Sequence, residues 1–405
     1  MALVVQKFGG SSVRDAERLR NVAGIVTAEH RKGNDVVVVV SAQGDTTDEL
    51  IDKAAEVSAD PSRRDMDFLL STGEQVSAAL LSMTIRDMGY KSVPLTGWQA
   101  GFLTNSSHGR ARIRRLNKER IDLELDKRNI VIVTGFQGIN RYDDITTLGR
   151  GGSDTSAVAI AAAMHADKCQ IFTDVDGVYT ADPRIVKTAK KLETISYDEM
   201  LELATLGAQV LHNRSVEMAK KYNVELEVLS SLEQKPGTIV KEVSEVEKML
   251  VKGVAKDDNI ARISIIGVPD KPGVAFKVFS LMSSMKINVD IILQSIGRND
   301  TKDITFTVGH DDAVAAVNAL QENKERIGIE NIVWDNKVSK VSVVGAGMES
   351  NPGVAARMFE ALADANVNIH MISTSEIKIS VLIDKEMSQK AVVAVHDAFD
   401  NEIDG

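Results

Sequence analysis

The chain has 405 residues, 43% of them hydrophobic, with one cysteine and a formal net charge of −10. That length calls for two or three domains, and with only 4% aromatics their cores must be packed by Ala, Val, Ile and Leu. The acidic balance excludes nucleic-acid binding through basic blocks, and the lone Cys169 excludes an internal disulfide.

The first predicted strand, Val4–Phe8, is an apolar run that carries Lys7 and ends in Gly9 and Gly10. Ser11 and Ser12 then open a helical stretch from Ser12 to His30. Two glycines let backbone approach a bulky anion, a helix start offers free N–H groups, and Lys7 adds a full charge. Together these suit phosphate, although an ordinary strand-to-helix turn with a solvated lysine would read the same from these residues alone. Further strands are predicted at Asp35–Ser41, Ser92–Thr96, Ile130–Gly135, Gln170–Thr173 and Glu225–Ser230. Helices are predicted between them at Asp48–Val57, Phe68–Met88, Ile113–Lys127, Ser153–Met164 and Asp198–Tyr222. The alternation implies a three-layer αβα domain with a mainly parallel sheet. Such sheets bind ligands at the carboxyl ends of their strands, so the turns after Phe8, Ser41, Thr134 and Thr173 should converge on one rim.

Four clusters along that rim carry chemistry. Ser41 to Thr47 presents hydroxyls after a strongly apolar strand, and Ser71-Thr72-Gly73-Glu74 places a carboxylate at an expected helix start. Gly149-Arg150-Gly151-Gly152-Ser153-Asp154 runs from a glycine-rich turn into a helix, where backbone N–H groups can face an anion. Arg150 can clamp a carboxylate through two parallel hydrogen bonds, and Asp154 can hold an ammonium group or orient a lysine. The run from Phe172 through Thr173, Asp174, Asp176, Tyr179 and Asp182 to Arg184 supplies an aromatic wall, carboxylates and an arginine, as a nucleotide site needs. Its spacing matches neither an EF-hand nor a zinc site, so no protein metal ligand is assigned. Cys169 lies in strand-like surroundings and reads as a buried thiol. The N-terminus has neither a signal-peptide core nor a transit-peptide composition and no segment approaches a membrane span, so a cytoplasmic protein is expected.

The pattern breaks around Glu233–Gly237, and a charged stretch follows. Beyond it lies a duplication with a repeat of about 80 residues. Ile263–Gly267 recurs as Val341–Gly345, Pro272–Ala275 as Pro352–Ala355, and Ile287–Asp290 as Val367–His370. Each copy reads as a ferredoxin-like βαββαβ module. The expected division is a catalytic domain over 1–235, a linker over 236–248, and modules over 249–332 and 333–405, with strands free to exchange between the modules.

Taken in order, the KFGGSSV start, SAQGDTTDEL, TGE, GRGGSD, FTDVDGVYTADPR and GAQVLH resemble the amino-acid kinase family, and within it the aspartate kinases. The duplicated modules are similar to that family's paired ACT domains. The resemblance implies ATP-dependent phosphorylation of the β-carboxylate of L-aspartate to 4-phospho-L-aspartate, the entry to lysine, threonine, methionine and diaminopimelate synthesis. It implies Lys7 on the transferring phosphoryl group, with Phe8, Gly9 and Gly10 cradling phosphate, and Ser41 beside phosphate or substrate. Thr47 would lie beside aspartate, Glu74 would take its ammonium, and Arg150 its α-carboxylate. Gly151, Gly152, Ser153 and Asp154 would complete the substrate side. Thr173, Asp174, Tyr179, Asp182 and Arg184 would hold ATP, with Mg2+ mainly on phosphate oxygens. Lysine and/or threonine would act as effectors at Asp270, Pro272, Gly273, Asn288 and Gln294 in one module, and at Asn351, Pro352, Gly353, Asn368, Ser375 and Glu376 in the other. Dimers through ACT packing are implied, or assembly with a shorter regulatory chain begun internally, for which Met249 is placed. Asn213 stands where the family has proline, and Gln209 where some relatives have lysine. A sibling kinase for another acid, or an amino-acid sensor with an inactive kinase domain, are the competing readings.

Overall fold

A computed structural model describes residues 2–205, 210–233, 235–242, 251–295, 297, 300–346, 348, 351 and 353–400. The chain forms two compact units. One holds the described residues from 2 to 179 and from 191 to 242; the other holds Thr180–Lys190 and the described residues from 251 to 400.

The first unit is built on an eight-stranded sheet. Its strands run in the order Thr194–Ser196, Thr238–Lys241, Leu226–Ser230, Lys168–Thr173, Leu3–Phe8, Asp35–Val40, Ile130–Thr134 and Ser92–Leu95. All neighbours are parallel except the antiparallel pair of Leu226–Ser230 with Thr238–Lys241. Thr238–Lys241 falls within the expected linker over 236–248 yet is a strand of this sheet. Val36 to Val40 are all fully buried, which a strand achieves only when both sheet faces are covered. On one face Phe8, Val36, Val38, Val40, Ile130 and Ile132 pack with Leu19, Val22 and Val26 of helix Ala16–Arg31 and with Leu81 and Ile85 of helix Arg63–Asp87. Helix Gly152–Met164, rich in small apolar residues and buried almost all round, contacts three of the central strands. The three-layer α/β arrangement read from the sequence is therefore the one observed.

Three predicted helices differ. The stretch from Ser12 to His30 breaks into Gly10–Val13 and Ala16–Arg31, because the Asp15 carboxylate accepts from the Arg18 N–H at 2.9 Å and caps a new helix. The Ile113–Lys127 helix is a strand, Ile113–Leu116, followed by helix Glu119–Asp126; the strand pairs antiparallel with Phe102–Thr104. Asp198–Tyr222 is two helices, Tyr197–Thr205 and Asn213–Tyr222, and Gln209 lies outside the described residues. A small sheet of Ile113–Leu116, Phe102–Thr104, Gln137–Ile139 and Ile145–Thr147 was not expected.

The second unit contains two four-stranded antiparallel sheets. Strands Ile260–Pro269, Val289–Gln294, Thr301–Gly309 and Asn331–Asp335 form one, with helices Val274–Ser284 and Ala313–Glu322. In the other, Val338–Val344, Met371–Thr374 and Lys378–Asp384 are joined by Gly253–Asp257, a strand from the expected first module (249–332) that pairs in the second module's sheet. Ala181 and Val186 of the Thr180–Lys190 segment are buried in this second module's core. Met249 lies outside the described residues. Among the described residues no helix is long and apolar enough to cross a membrane. Cys169 is buried, and burial pushes its thiol pKa up, which leaves it inert.

The register levels the strand ends. Phe8 pairs with Val40 on one side and Phe172 on the other, and Val40 pairs with Thr134. At the next position a Cβ on Gly135 would lie 2.7 Å from the Ser153 side chain, so the helix carrying Asp154 abuts the sheet rim directly. Gly135→Ala should push that helix away and destabilise the fold by about 1–3 kcal/mol, with a matching loss of activity. Thermal unfolding and turnover both at wild-type values would contradict this packing.

Candidate active site

Lys7 sits one residue from the end of the central strand, and its Nζ is 2.7 Å from Asp154 Oδ1. The two side chains are only 12% and 10% exposed, so the pair is shielded from bulk water without being sealed off. Gly9 lies beneath the ammonium: a Cβ there would be 3.5 Å from Nζ. Gly10 is locked against the next loop, since a Cβ would come within 2.7 Å of the Ala42 carbonyl, and its own carbonyl accepts from the Gly44 N–H at 3.0 Å. Below them the Phe8 and Phe172 rings stack with centroids 4.6 Å apart. Ser41 is held at the end of its strand by its N–H, which donates to the Phe8 carbonyl at 3.1 Å. Lys7, Phe8, Gly9, Gly10, Ser41 and Asp154 are therefore brought together, as the level strand ends require.

Glu74 is tied to the loop after Asp35–Val40. It lies well inside helix Arg63–Asp87 rather than at a helix start, so its carboxylate is not a cap. Gly73 beside it fits where a Cβ would be 2.8 Å from that of Ala42, and Glu74 Oε1 accepts from the Ala42 N–H at 3.2 Å. Oε2 is buried and has no hydrogen-bond partner among the described residues. Burial pushes the pKa up to about 7, and hydrogen bonds from the Ala42 N–H and the Gln137 side chain only partly offset the loss of water. A buried carboxylate with one oxygen unspent is suited to receive an ammonium group. Thr47 is half-buried in the first turn of helix Thr46–Val57.

Arg150 is exposed and flanked by Gly149 and Gly151, whose φ values of +81° and +64° are left-handed. Gly152, Ser153 and Asp154 follow in the first turn of the buried helix. His212, not singled out from the sequence, packs its ring where a Cβ on Gly151 would be 2.2 Å away. Its Nδ1 accepts from the Arg214 N–H at 3.3 Å, which leaves the ring proton on Nε2. Burial lowers its pKa, while Asp154 pulls the other way. Asn213 is the first residue of the helix that His212 caps, a position proline also suits, and its side chain adds a hydrogen bond to the Thr205 hydroxyl at 3.4 Å that proline could not make.

The loop after Lys168–Thr173 is divided. The Thr173 hydroxyl donates to Asp174 at 2.9 Å. The Tyr179 hydroxyl donates to Asp176 at 2.8 Å, and Lys191 pairs with the same carboxylate at 3.2 Å. Burial and then Asp176 push the Tyr179 pKa up to about 12. Asp176 was quoted in the motif without a role, and it is the residue that fixes this tyrosine. Asp182 and Arg184 pair at 2.8 Å, and the arginine holds the Asp182 carboxyl below its usual range. Both belong to the segment that folds with the second unit, so the structure does not bring them together with Thr173, Asp174 and Tyr179 in one unit.

The profile of the amino acid kinase family matches residues 2–230, and that of the ACT domain matches residues 263–323 and 341–399. The chain is 52% identical over 400 residues to an aspartokinase of Geobacillus stearothermophilus, covering 98% of this chain and 97% of that one. It is 52% identical over 401 residues to aspartokinase 2 of Bacillus subtilis, covering 99% and 98%. The chain belongs to the aspartokinases of the amino acid kinase family. Among solved structures, E. coli aspartokinase III in complex with aspartate and ADP superposes with a TM-score of 0.82 at 26% identity, covering 98% of this chain and 99% of that one. The same enzyme in complex with lysine and aspartate gives 0.76 at 25% identity, covering 99% and 100%.

In this aspartokinase the effector candidates fall into separate places. Asp270, Pro272 and Gly273 lie at the start of helix Val274–Ser284, where Asp270 pairs with Lys302 at 2.5 Å. Gln294 ends a strand on that same side. Asn288 follows the far end of the 11-residue helix, about 16 Å away along its axis, in a surface depression with Phe279, Met282 and Lys286. In the second module Gly353 caps helix Val354–Asp364, and Asn368 follows that helix's far end. Ser375 and Glu376 form an exposed turn between two strands, and Pro352 lies outside the described residues.

The raised Glu74 pKa has a sign that can be measured. Between the ordinary glutamate range and about 7 the native state keeps a proton that the unfolded chain has lost. Stability of the unliganded enzyme should fall as pH rises through that window, by something on the order of 1–3 kcal/mol, and Glu74→Gln should remove the fall. Denaturant unfolding at pH 5 and pH 8 tests this, and a difference between the two proteins that does not change with pH would contradict it.

Proposed function

We propose that the rim of this aspartate kinase transfers the γ-phosphoryl group of ATP to the β-carboxylate of L-aspartate. A carboxylate oxygen bonds to the γ-phosphorus, the bond to the ADP oxygen breaks, and 4-phospho-L-aspartate and ADP result. The nucleophile is already ionised near neutral pH, so no general base is needed. The difficulty lies in bringing one anion up to another, and catalysis rests on placement and charge neutralisation.

The observation that carries this reading is the Lys7–Asp154 pair, set at level strand ends beside the glycine turn. Lys7 neutralises the transferring group, and Asp154 holds the lysine in place. The turn of Phe8, Gly9 and Gly10 cradles phosphate, and Ser41 stands beside it. Glu74 takes the substrate ammonium through its unspent oxygen, Arg150 takes the α-carboxylate, and Thr47, Gly151, Gly152 and Ser153 line the same pocket. Thr173, Asp174 and Tyr179 hold ATP. Mg2+ sits mainly on phosphate oxygens. The setting is cytoplasmic, at the entry to lysine, threonine, methionine and diaminopimelate synthesis.

Lysine, alone or with threonine, binds the ACT pair and inhibits by favouring a less active state, which requires that it bind that state more tightly. The enzyme works as a dimer through its ACT modules or with a shorter regulatory chain. The related enzyme captured with lysine and aspartate supports lysine as an effector, and the two matched ACT domains are consistent with that reading.

Hydroxylamine trapping tests the reaction. With Mg-ATP, aspartate should give an acyl hydroxamate and glutamate, acetylglutamate and carbamate should not; absence of product from aspartate would reject the proposal. Added lysine should depress that signal, most strongly with threonine present. Turnover unaffected by saturating amounts of both would remove the feedback role.

A further inference from the structure

The loop that presents Arg150 is gripped by residues that none of the assigned roles uses. Residues 109–111 run beside 147–149: the Ala111 N–H donates to the Thr147 carbonyl at 2.8 Å, and a Cβ on Gly149 would stand 3.0 Å from the Gly109 carbonyl. Asp67, only 1% exposed, ties the two segments. It accepts from the Thr147 hydroxyl at 2.5 Å, from the Gly109 N–H at 3.0 Å and from His108 Nδ1 at 2.8 Å. A second grip comes from Arg214. Its Nη1 donates to the Leu148 carbonyl at 2.5 Å and its Nη2 to the Ala111 carbonyl at 3.1 Å.

This use of an arginine has a physical reason. Two left-handed glycines around Arg150 leave its backbone with few restraints of its own. A guanidinium is a rigid planar fork, so one side chain can fix two carbonyls in relation to each other, which an ammonium does less well. Arg214 lies two residues after His212, whose ring rests on Gly151. One helix start therefore braces the loop on either side of Arg150: at Leu148 through a hydrogen bond and at Gly151 through packing.

We propose that Arg214 is a positioning residue for aspartate recognition, fixing the Leu148 and Ala111 carbonyls so that Arg150 meets the substrate carboxylate in one geometry. This rests on the reading that Arg150 binds that carboxylate. Arg214 touches no substrate, and its effect passes through Arg150.

The test compares wild type, Arg214→Ala, Arg214→Lys, Arg150→Ala and the double Arg150→Ala/Arg214→Ala variant in steady-state kinetics. Arg214→Ala should raise the aspartate KM roughly 10- to 100-fold, since small misplacements of a binding group are costly. The ATP KM should stay within about twofold, Arg214→Lys should fall between, and added guanidinium should restore part of the loss. In the Arg150→Ala background the second substitution should change the aspartate KM by less than about twofold, because the group it positions is gone. If Arg214→Ala does not fold, Arg214→Lys alone and in the Arg150→Ala background carries the same comparison. An aspartate KM unchanged in the Arg214 variants would overturn the proposal. So would aspartate and ATP KM values rising together, or effects that multiply in the double variant. If Arg150→Ala itself leaves the aspartate KM unchanged, the carboxylate role of Arg150 fails and this proposal with it. A raised KM in Arg150→Ala beside a silent Arg214→Ala rejects this proposal alone.

Discussion

Lys7 and Asp154 form the interaction on which the rest of the site depends. Phosphoryl transfer to a carboxylate forces two anions together, and a half-shielded ammonium is worth more there than the same charge in open water. Such a cation must also be kept from wandering and from being left unpaired. Asp154, in the first turn of a buried helix, does both at 2.7 Å. Breaking a pair of this kind from one side is costly, because the remaining charge stays desolvated.

That pairing is possible only because the sheet is parallel and its strands end level. Phe8, Val40, Thr134 and Phe172 are neighbours in register, so the turns that follow open on one edge. Close contacts at glycines then set the loop heights: Gly10 against Ala42, Gly73 against Ala42, Gly135 against Ser153. A buried Glu74 with an unspent oxygen faces the same region through Ala42. Its raised pKa is a consequence of burial, and an incoming ammonium would offset that loss of water.

Much of this was legible in the sequence because the strands are continuous apolar runs and the chemistry sits at their ends. Val4–Phe8 and Asp35–Ser41 were placed to within a residue, and Lys7, Gly9 and Asp154 follow from where such strands stop. The small sheet escaped because its strands have three or four residues and no alternating pattern; Ile113–Leu116, charged and followed by a true helix, read as part of that helix. Asp67 and Glu74 are seven residues apart, the spacing that puts two side chains on one helix face, so Asp67 carried a faint signal. Arg214 carried none, since its partners are 66 and 103 residues away in sequence and are backbone carbonyls. Exchange of strands between the modules was expected, but that Gly253–Asp257 is the strand exchanged is a matter of pairing rather than of local pattern.

The most direct test of the account is the kcat of Lys7→Met at saturating aspartate and ATP, followed by ADP release. If the ammonium neutralises the transferring phosphoryl group, kcat should fall by about 100-fold or more while the protein still folds and binds nucleotide. A kcat within about threefold of wild type would contradict the role given to Lys7 and to the pair it makes with Asp154.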